Sequence, residues 1–342
     1  MTKAISYCIL IICILFGKNL LAGDYYTNYR PPMRTKIKLS GSWKFSIGDL
    51  PDWGKVGYDD TDWEDIKVPS NWEEQGFHGY NGYAWYRKTF KVGNDLGDKA
   101  LMLVLGYIDD ADEVYLNGEL IASSGAFPPH FKTAYEQERL YPLRHDMLRK
   151  NEENVIAVRI YDGHFEGGII RGDVGIFSIL NQKEPDLNLT GRWMFRTGDL
   201  NYIPVTDNFY GEPINVPGHW EKQLAPGYDG YAWYQKSFCL PTDLQGKKLV
   251  LVIGKIDDTD MVFLNGKQIG STGLTWDGQI EHDDHHSWEK VRTYFIPMDV
   301  LETDGNNILN VRVHDWTGDG GIYQGPVGLV RQEKLISFLR KN

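Results

Sequence analysis

The segment Tyr80-Asn-Gly-Tyr-Ala-Trp-Tyr-Arg-Lys-Thr-Phe90 recurs as Tyr228-Asp-Gly-Tyr-Ala-Trp-Tyr-Gln-Lys-Ser-Phe238, with eight of eleven positions identical. A second segment, Gly106-Tyr-Ile-Asp-Asp-Ala-Asp-Glu-Val-Tyr-Leu-Asn-Gly118, recurs as Gly254-Lys-Ile-Asp-Asp-Thr-Asp-Met-Val-Phe-Leu-Asn-Gly266, with nine of thirteen identical. Both segments keep their order. Repeats of about 140 residues have the size of whole domains, unlike the short units of a solenoid. The sequence therefore predicts two copies of one domain.

Each copy has the pattern of an all-β domain. The apolar run at 100–105, repeated at 249–253, has the length of a buried strand. Asn117-Gly118 and Asn265-Gly266 each accept positive φ at both turn positions, as a two-residue hairpin requires. Further strands are predicted at 154–161 and 307–314. We therefore expect an all-β fold of two tandem antiparallel jelly-roll β-sandwiches, at 23–180 and 181–334, followed by a C-terminal tail at 335–342.

Composition limits the function classes. The chain of 342 residues has a formal net charge of −11, 11 tryptophans and 20 tyrosines. An acidic surface repels phosphate backbones, so we expect no nucleic-acid partner. Aromatic residues favour strands, and the 37 glycines suit their turns.

The N-terminus has the pattern of a signal peptide at 1–22. Lys3 precedes an apolar segment at 5–16, and Ala22 ends an imperfect cleavage site. The apolar segment is shorter than the roughly 20 residues that span a bilayer. We expect a secreted or periplasmic protein with no membrane insertion after cleavage. Cys239 is the only cysteine beyond this segment and is interpreted as a small strand residue.

Several motifs together resemble a known domain. The first copy carries Val68-Pro-Ser-Asn-Trp72, the Leu116-Asn-Gly118 hairpin and Asn154-Val-Ile-Ala-Val-Arg159 followed by Asp162. The second carries Val216-Pro-Gly-His-Trp220 and Asp315. This ordered set resembles the sugar-binding domain of glycoside hydrolase family 2, and a similar module accompanies sialate O-acetylesterases. The resemblance implies a galactose-binding-domain-like jelly roll and a glycan or oligosaccharide as ligand.

The chemistry of that family is not recognisable in these 342 residues. The resemblance places the catalytic glutamates in a (β/α)₈ barrel, and no alternating strand–helix series of about 200 residues fits here. No Gly-x-Ser-x-Gly elbow, phosphate loop or His-Glu-x-x-His motif occurs. We therefore expect no catalytic residues and a binding protein accessory to glycan degradation. Two alternatives remain: a hydrolase with an unrecognised site between the sandwiches, and a docking subunit of a separate glycoside hydrolase chain.

The resemblance implies that Asp162 and Asp315 are sugar ligands, because the family's aspartate after this strand bonds sugar hydroxyls. A turn aspartate that caps its own loop is an equally good interpretation. The candidate carbohydrate-binding residues therefore include both aspartates and their loop neighbours, which are His164 and Glu166 in the first copy and Trp316 and Asp319 in the second.

Tryptophans complete the candidate set. Trp72 and Trp220 follow a Val-Pro pair at loop starts, where core packing is the more common role. Trp276 lies between Gly273 and Arg292, where the second copy is five residues longer than the first. Because the second copy places Trp316 and Trp276 near its carboxylates, we expect the stronger binding site there.

A metal site is the less favoured interpretation of the remaining acidic runs. Asp109-Asp110-Ala111-Asp112 and Asp257-Asp258-Thr259-Asp260 could hold a structural Ca²⁺, but they lack the glycine and glutamate of an EF-hand loop. The histidines within 282–286 have no partner at metal-ligand spacing. The sequence thus predicts no cofactor.

Overall fold

Strands make up 53% of the computed structural model and helices 8%, and the described residues are 30–273 and 286–340. The first copy has ten strands: β1 (Met33–Lys38), β2 (Gly41–Ile47), β3 (Glu64–Val68), β4 (Gly82–Lys91), β5 (Lys99–Asp109), β6 (Ala111–Leu116), β7 (Glu119–Ser124), β8 (Glu138–Leu143), β9 (Glu153–Asp162) and β10 (Gly168–Lys183). The second copy has ten more: β11 (Leu187–Asn188), β12 (Gly191–Thr197), β13 (Glu212–Val216), β14 (Gly230–Cys239), β15 (Leu249–Asp257), β16 (Thr259–Leu264), β17 (Lys267–Thr272), β18 (Val291–Phe295), β19 (Asn306–Asp315) and β20 (Gly321–Arg331).

Helical segments are short. A single α-helix, α1 (Leu335–Leu339), lies in the described part of the tail. The 3₁₀ segments are Pro51–Gly54, Glu73–Gln75, His145–Met147, Thr242–Leu244, Ser287–Glu289 and Gln332–Lys334. Within 30–273 and 286–340, no helix has both the length and the apolar character to cross a bilayer.

The two copies repeat one pattern of antiparallel pairing. In the first copy the strands form a four-stranded sheet in the order β1-β10-β5-β8 and a six-stranded sheet in the order β3-β2-β4-β9-β6-β7. In the second copy the orders are β11-β20-β15-β18 and β13-β12-β14-β19-β16-β17. The predicted hairpins are confirmed, since Asn117 and Asn265 have φ values of 52° and 50° and each is followed by a glycine with positive φ.

The main hydrophobic core of each copy takes residues from both of its sheets. In the first copy, alternate residues of β5 (Leu101, Leu103, Leu105) meet alternate residues of β9 (Ile156, Val158). The second core takes the corresponding residues of β15 and β19. Alternation of strand side chains explains why every second residue points into this core.

The prediction of two tandem jelly-roll sandwiches is wrong in its arrangement. The four sheets are arranged as four blades of a propeller-like ring, and the described residues from Pro31 onward form one compact unit. Direct bonds join the copies: Lys132 Nζ donates to Gln223 O at 2.8 Å, and Asn215 Nδ2 donates to Ser123 O at 2.7 Å. A period of two predicts which face a strand buries, but it carries no information on how finished sheets pack around one another.

Some predictions concern residues outside the described part. The signal peptide at 1–22 lies there, as do Trp276 and the histidine segment up to residue 285. The predicted boundaries 23–180 and 181–334 stay a prediction; β10 runs to Lys183 and β11 begins at Leu187.

Candidate functional site

Three aspartates meet where strands of the first copy end. Asp109 is the last residue of β5, Asp110 links β5 to β6, and Asp162 is the last residue of β9. Because β6 pairs with β9, with Ala111 opposite Tyr161, these strand ends are brought side by side. One carboxylate oxygen from each aspartate lies within 4.8 Å of the others. We call this group the first acid cluster.

Hydrogen bonds from two backbone N–H groups and one threonine hydroxyl hold the first acid cluster in place. The Gly163 N–H donates to Asp110 Oδ2 at 2.9 Å, and the Thr133 hydroxyl donates to Asp110 Oδ1. The His164 N–H donates to Asp162 Oδ1 at 3.0 Å. Asp162 Oδ2 is buried and has no hydrogen-bond partner among the described residues.

The second copy repeats the arrangement as the second acid cluster, formed by Asp257, Asp258 and Asp315. Here the Trp316 N–H donates to Asp258 Oδ2 at 3.1 Å, and the Thr317 N–H donates to Asp315 Oδ1 at 3.2 Å. Asp315 Oδ2 is again buried and unpartnered within the described part.

Burial changes the protonation of both acid clusters. It raises the pKa of Asp162 to about 6 and that of Asp315 to about 7. Burial, with the hydrogen bond and charge of the adjacent aspartate, raises the pKa of Asp109 to about 8 and that of Asp257 to about 9. Without a bound cation, one carboxyl of each cluster therefore keeps its proton at pH 7.

A buried arginine positions each acid cluster from behind. Arg139 Nη2 donates to the carbonyl oxygens of Ile108 and Asp110 at 2.8 and 2.9 Å. Its Nε donates to Asp112 Oδ1 at 2.7 Å. Arg292 does the same in the second copy, with bonds of 2.7 Å to Asp258 O and 2.8 Å to Asp260 Oδ1.

Aromatic rings surround the first acid cluster. Phe131 packs edge-on against Tyr161, with ring centroids 5.3 Å apart, and is partly exposed. Phe165 is 89% exposed and has a φ of 76°, an unusual value for a bulky residue. The Arg159 guanidinium lies 4.3 Å from the Phe127 ring centroid. Phe131 is the ring that lies nearest the cluster, because a Cβ on Gly163 would be 3.3 Å from Phe131 and 3.2 Å from Asp110 Oδ2.

The second acid cluster has a different aromatic neighbour. Trp316 is 52% exposed, directly follows Asp315, and packs against His314 with ring centroids 4.5 Å apart. His314 in turn packs against Tyr231 at 4.2 Å. Because Asp162 and Asp315 are equivalent, Trp316 occupies the position of Gly163 in the first copy, where Phe131 approaches instead. Each copy thus supplies an exposed ring from a different segment.

Two predicted binding residues lie in the core. Trp72 and Trp220 are both fully buried, and each indole N–H donates to a backbone carbonyl, of Tyr80 and Tyr228 respectively. A ligand does not reach either ring. A Cβ on Gly167 would collide with Trp72, so this glycine accommodates the indole and not a sugar.

Three of the remaining predicted residues lie on the loops that follow Asp162 and Asp315. His164 and Glu166 are exposed on the loop after Asp162. Asp319 is half-buried, and its Oδ2 lies 3.4 Å from Lys222 Nζ. Trp276 lies outside the described residues.

The sequence analysis did not connect the paired aspartates with Asp162 or Asp315, and it missed Phe131 and Phe165. The structure instead places Asp109 and Asp110 beside Asp162. The signal that could have found this is the repetition of the Asp-Asp pair at the end of the same apolar strand in both copies. The sequence analysis also missed Glu221. Its carboxylate accepts a hydrogen bond from the Gly320 N–H at 2.9 Å, and burial raises its pKa to about 8.

Comparison with curated proteins gives partial matches, while no family model matches the chain. A putative beta-glucuronidase of Formosa agariphila is 31% identical over 144 residues, which cover 38% of this chain and 13% of that protein. Beta-galactosidase BoGH2A of Bacteroides ovatus is 29% identical over 140 residues, 37% of this chain and 15% of that protein. The chain therefore spans only a small fraction of these relatives, and they support a domain related to glycoside hydrolase family 2.

Solved structures give the same kind of match. Bacteroides uniformis beta-glucuronidase 2, bound to cyclophellitol-6-carboxylate aziridine, aligns with 86% of this chain and 28% of its own chain at 14% identity and a TM-score of 0.37. A glycosyl hydrolase family 2 member from Bacteroides cellulosilyticus aligns with 82% of this chain and 31% of its own at 15% identity and a TM-score of 0.35.

Proposed function

We propose that this chain is a secreted, non-catalytic carbohydrate-binding protein that assists glycan degradation. Its relation to family 2 glycosidases indicates a carbohydrate-processing role in general. The observation that carries the finer proposal is the repeated pairing of a carboxylate cluster with an exposed aromatic ring. Export rests on the signal pattern at 1–22, which lies outside the described residues.

This pairing suits a sugar because a pyranose has two kinds of surface. Its C–H face packs on an aromatic ring, and its hydroxyls donate hydrogen bonds to fixed acceptors. In the second copy, Trp316 offers the ring, and its own N–H bonds to Asp258. In the first copy, Phe131 offers a ring beside Asp110, and the exposed Phe165 lies three residues after Asp162.

Burial of the carboxylates supports binding over hydrolysis. Glycosidases need two carboxyl groups that flank the scissile bond and reach it. Asp162 and Asp315 are 0% and 1% exposed, and their Oδ1 atoms accept bonds from their own loops. Both carboxylates are therefore held inside the protein, and the acidic groups that a sugar can reach are the partly exposed Asp109, Asp257 and Asp258.

A hydrolase is the second candidate, and the pKa values favour it. In the first acid cluster the pKa of Asp109 is raised to about 8 and that of Asp162 to about 6, so one carboxyl can donate a proton while the other is ionised, as acid–base pairs do. Turnover of aryl glycosides that is lost in Asp162→Asn would establish this alternative. Co-purification of a barrel-containing hydrolase would instead establish the docking subunit.

The test of the binding proposal is a screen of neutral, amino and acidic glycans, followed by calorimetric titration of the best ligand. Trp316→Ala is expected to weaken binding by about 1–3 kcal/mol, the scale of an aromatic contact at an interface hot spot. Tyr210→Ala, which removes an 88% exposed ring from the segment before β13, serves as the matched control and should bind normally.

The predicted asymmetry of the copies is tested in the same experiment. Normal binding by Trp316→Ala, together with loss of binding in Phe131→Ala, would place the stronger site in the first copy. Absence of binding to every glycan would contradict the proposal as a whole.

A further inference from the structure

We propose that each acid cluster binds one hard divalent cation of the calcium class, so that the chain binds two. The first site is formed by Asp109, Asp110 and Asp162, and the second by Asp257, Asp258 and Asp315. The inference concerns the metal alone and does not depend on glycan binding.

The spacing of the oxygens fits a cation of this size. Oxygen ligands lie about 2.3–2.6 Å from Ca²⁺, so two ligands on opposite sides are about 4.6–5.2 Å apart. In each acid cluster, three carboxylate oxygens lie within 4.8 Å of one another. Mg²⁺ demands strict octahedral geometry and gives up its water reluctantly, so a group of three carboxylates favours Ca²⁺ over Mg²⁺.

A buried, unpartnered oxygen in each acid cluster points independently to a ligand. Asp162 is fully buried, and its Oδ2 has no hydrogen-bond donor within the described residues. The same is true of Asp315 Oδ2 in the second copy. Buried carboxylates are ordinarily paired, hydrogen-bonded or bound to a metal. One cation in each acid cluster would give the unpartnered oxygen of that cluster, Asp162 Oδ2 or Asp315 Oδ2, a partner.

Within the described part of the chain, no basic side chain forms an ion pair with the carboxylates of either acid cluster. Arg139 is the nearest buried arginine, but its Nε bonds to Asp112 and its Nη2 bonds to backbone carbonyls. Among the described residues, none of the six cluster aspartates forms an ion pair with a basic side chain. Within the described ranges, the three carboxylates of each copy therefore meet without an ion pair, although the charge of Arg139 acts on Asp109 and that of Arg292 on Asp257.

The other cluster oxygens remain able to bind a metal. Asp110 accepts bonds from Gly163 and Thr133, and Asp258 accepts one from Trp316. A carboxylate oxygen that accepts one hydrogen bond keeps a second lone pair. These hydrogen bonds fix the orientation of the carboxylates. The side chains therefore lose less conformational entropy when a cation binds.

The test is calorimetric titration of the full chain, freed of metal by chelation, with CaCl₂ or MgCl₂ at neutral pH and without glycan. Two Ca²⁺ ions per chain are expected, with a Kd below about 1 mM, the range of extracellular calcium modules. Mg²⁺ is expected to bind at least tenfold more weakly. Asp162→Asn and Asp315→Asn should each reduce the stoichiometry to one.

Controls separate loss of the metal from loss of the fold. Asp304→Asn removes an equal charge from an exposed turn and should keep two ions. If circular dichroism shows that Asp162→Asn does not fold, Asp109→Asn, at the half-buried member of the cluster, tests the same site. No saturable Ca²⁺ binding, or two ions in both cluster variants, overturns the inference. Failure to bind any glycan while two Ca²⁺ ions bind overturns the proposed function only.

Discussion

At the scale of single residues, the acid clusters depend on an arginine that lies behind them. Arg139 is almost fully buried. Its Nε donates a hydrogen bond to Asp112, and its Nη2 donates to the carbonyl oxygens of Ile108 and Asp110. Tyr141 donates to the second oxygen of Asp112 at 2.6 Å. Arg139 is therefore a positioning residue for the Asp109–Asp110 turn.

Arg139→Met is expected to lower the free energy of unfolding by about 3–5 kcal/mol, because Asp112 would remain buried without its partner. Urea denaturation measures this. The control is Arg144→Met, which breaks the more exposed pair with Asp146 and should cost less than about 1 kcal/mol. Equal losses in the two variants would contradict the buried role of Arg139.

At the scale of elements, β5 and β15 are buried along most of their length. Alternate residues of β5 enter the first core, and the opposite face, with Met102 and Val104, packs against Phe177 of β10. This explains why β5 is a continuous apolar run and does not alternate. The register of β5 shifts at Gly106, whose φ is 61°, so the strand bulges just before it delivers Asp109.

Gly106→Ala is expected to destabilise the protein by about 2–4 kcal/mol, because positive φ and a steric conflict add up. A Cβ there would collide with the carbonyl oxygen of Arg171. Gly93→Ala is the matched control, since a Cβ at Gly93 meets nothing within 4 Å. Thermal unfolding compares the variants, and an unchanged Tm in Gly106→Ala would show that the bulge is not required.

At the scale of the whole molecule, the copies are joined by polar contacts. Gln137 Nε2 donates to Lys222 O at 2.6 Å, beside the bonds of Lys132 and Asn215 described above. The charges of Glu119 and Arg144 in the first copy act on the ammonium group of Lys236 in the second copy. Lys236 Nζ also donates a hydrogen bond to Arg192 O at 2.8 Å. Burial, and next the charge of Arg144, lowers the pKa of Lys236 to about 8 from 10.5.

This lowered pKa predicts a pH dependence of stability. Between about pH 8 and 10.5 the unfolded chain binds the Lys236 proton more strongly than the folded chain, so this residue makes stability rise with pH in that window. Lys236→Met should remove that part of the slope in urea denaturation at pH 7.5, 8.5 and 9.5. Lys88→Met, at the equivalent residue bonded to Ser42 O, is the control, and an equal change of slope in both variants would contradict the prediction.

Local structure could be predicted from the order of the residues alone. Apolar runs of strand length, the Asn-Gly pairs and the repeated segments located the strands and hairpins, because these depend on backbone preference and on which residues avoid water. The relation to family 2 glycosidases was also readable from ordered motifs, since the matched curated relatives support such a domain.

Only the tertiary structure decided the packing of the sheets and the composition of the site. The arrangement of four sheets depends on contacts such as Asn215 with Ser123, which are distant in the chain. The burial of Trp72 and the meeting of Asp109 with Asp162 depend on which strand ends lie side by side. Local conformational propensities do not predict such contacts. The free energy that stabilises these contacts comes from burying surfaces that form only after the strands have paired.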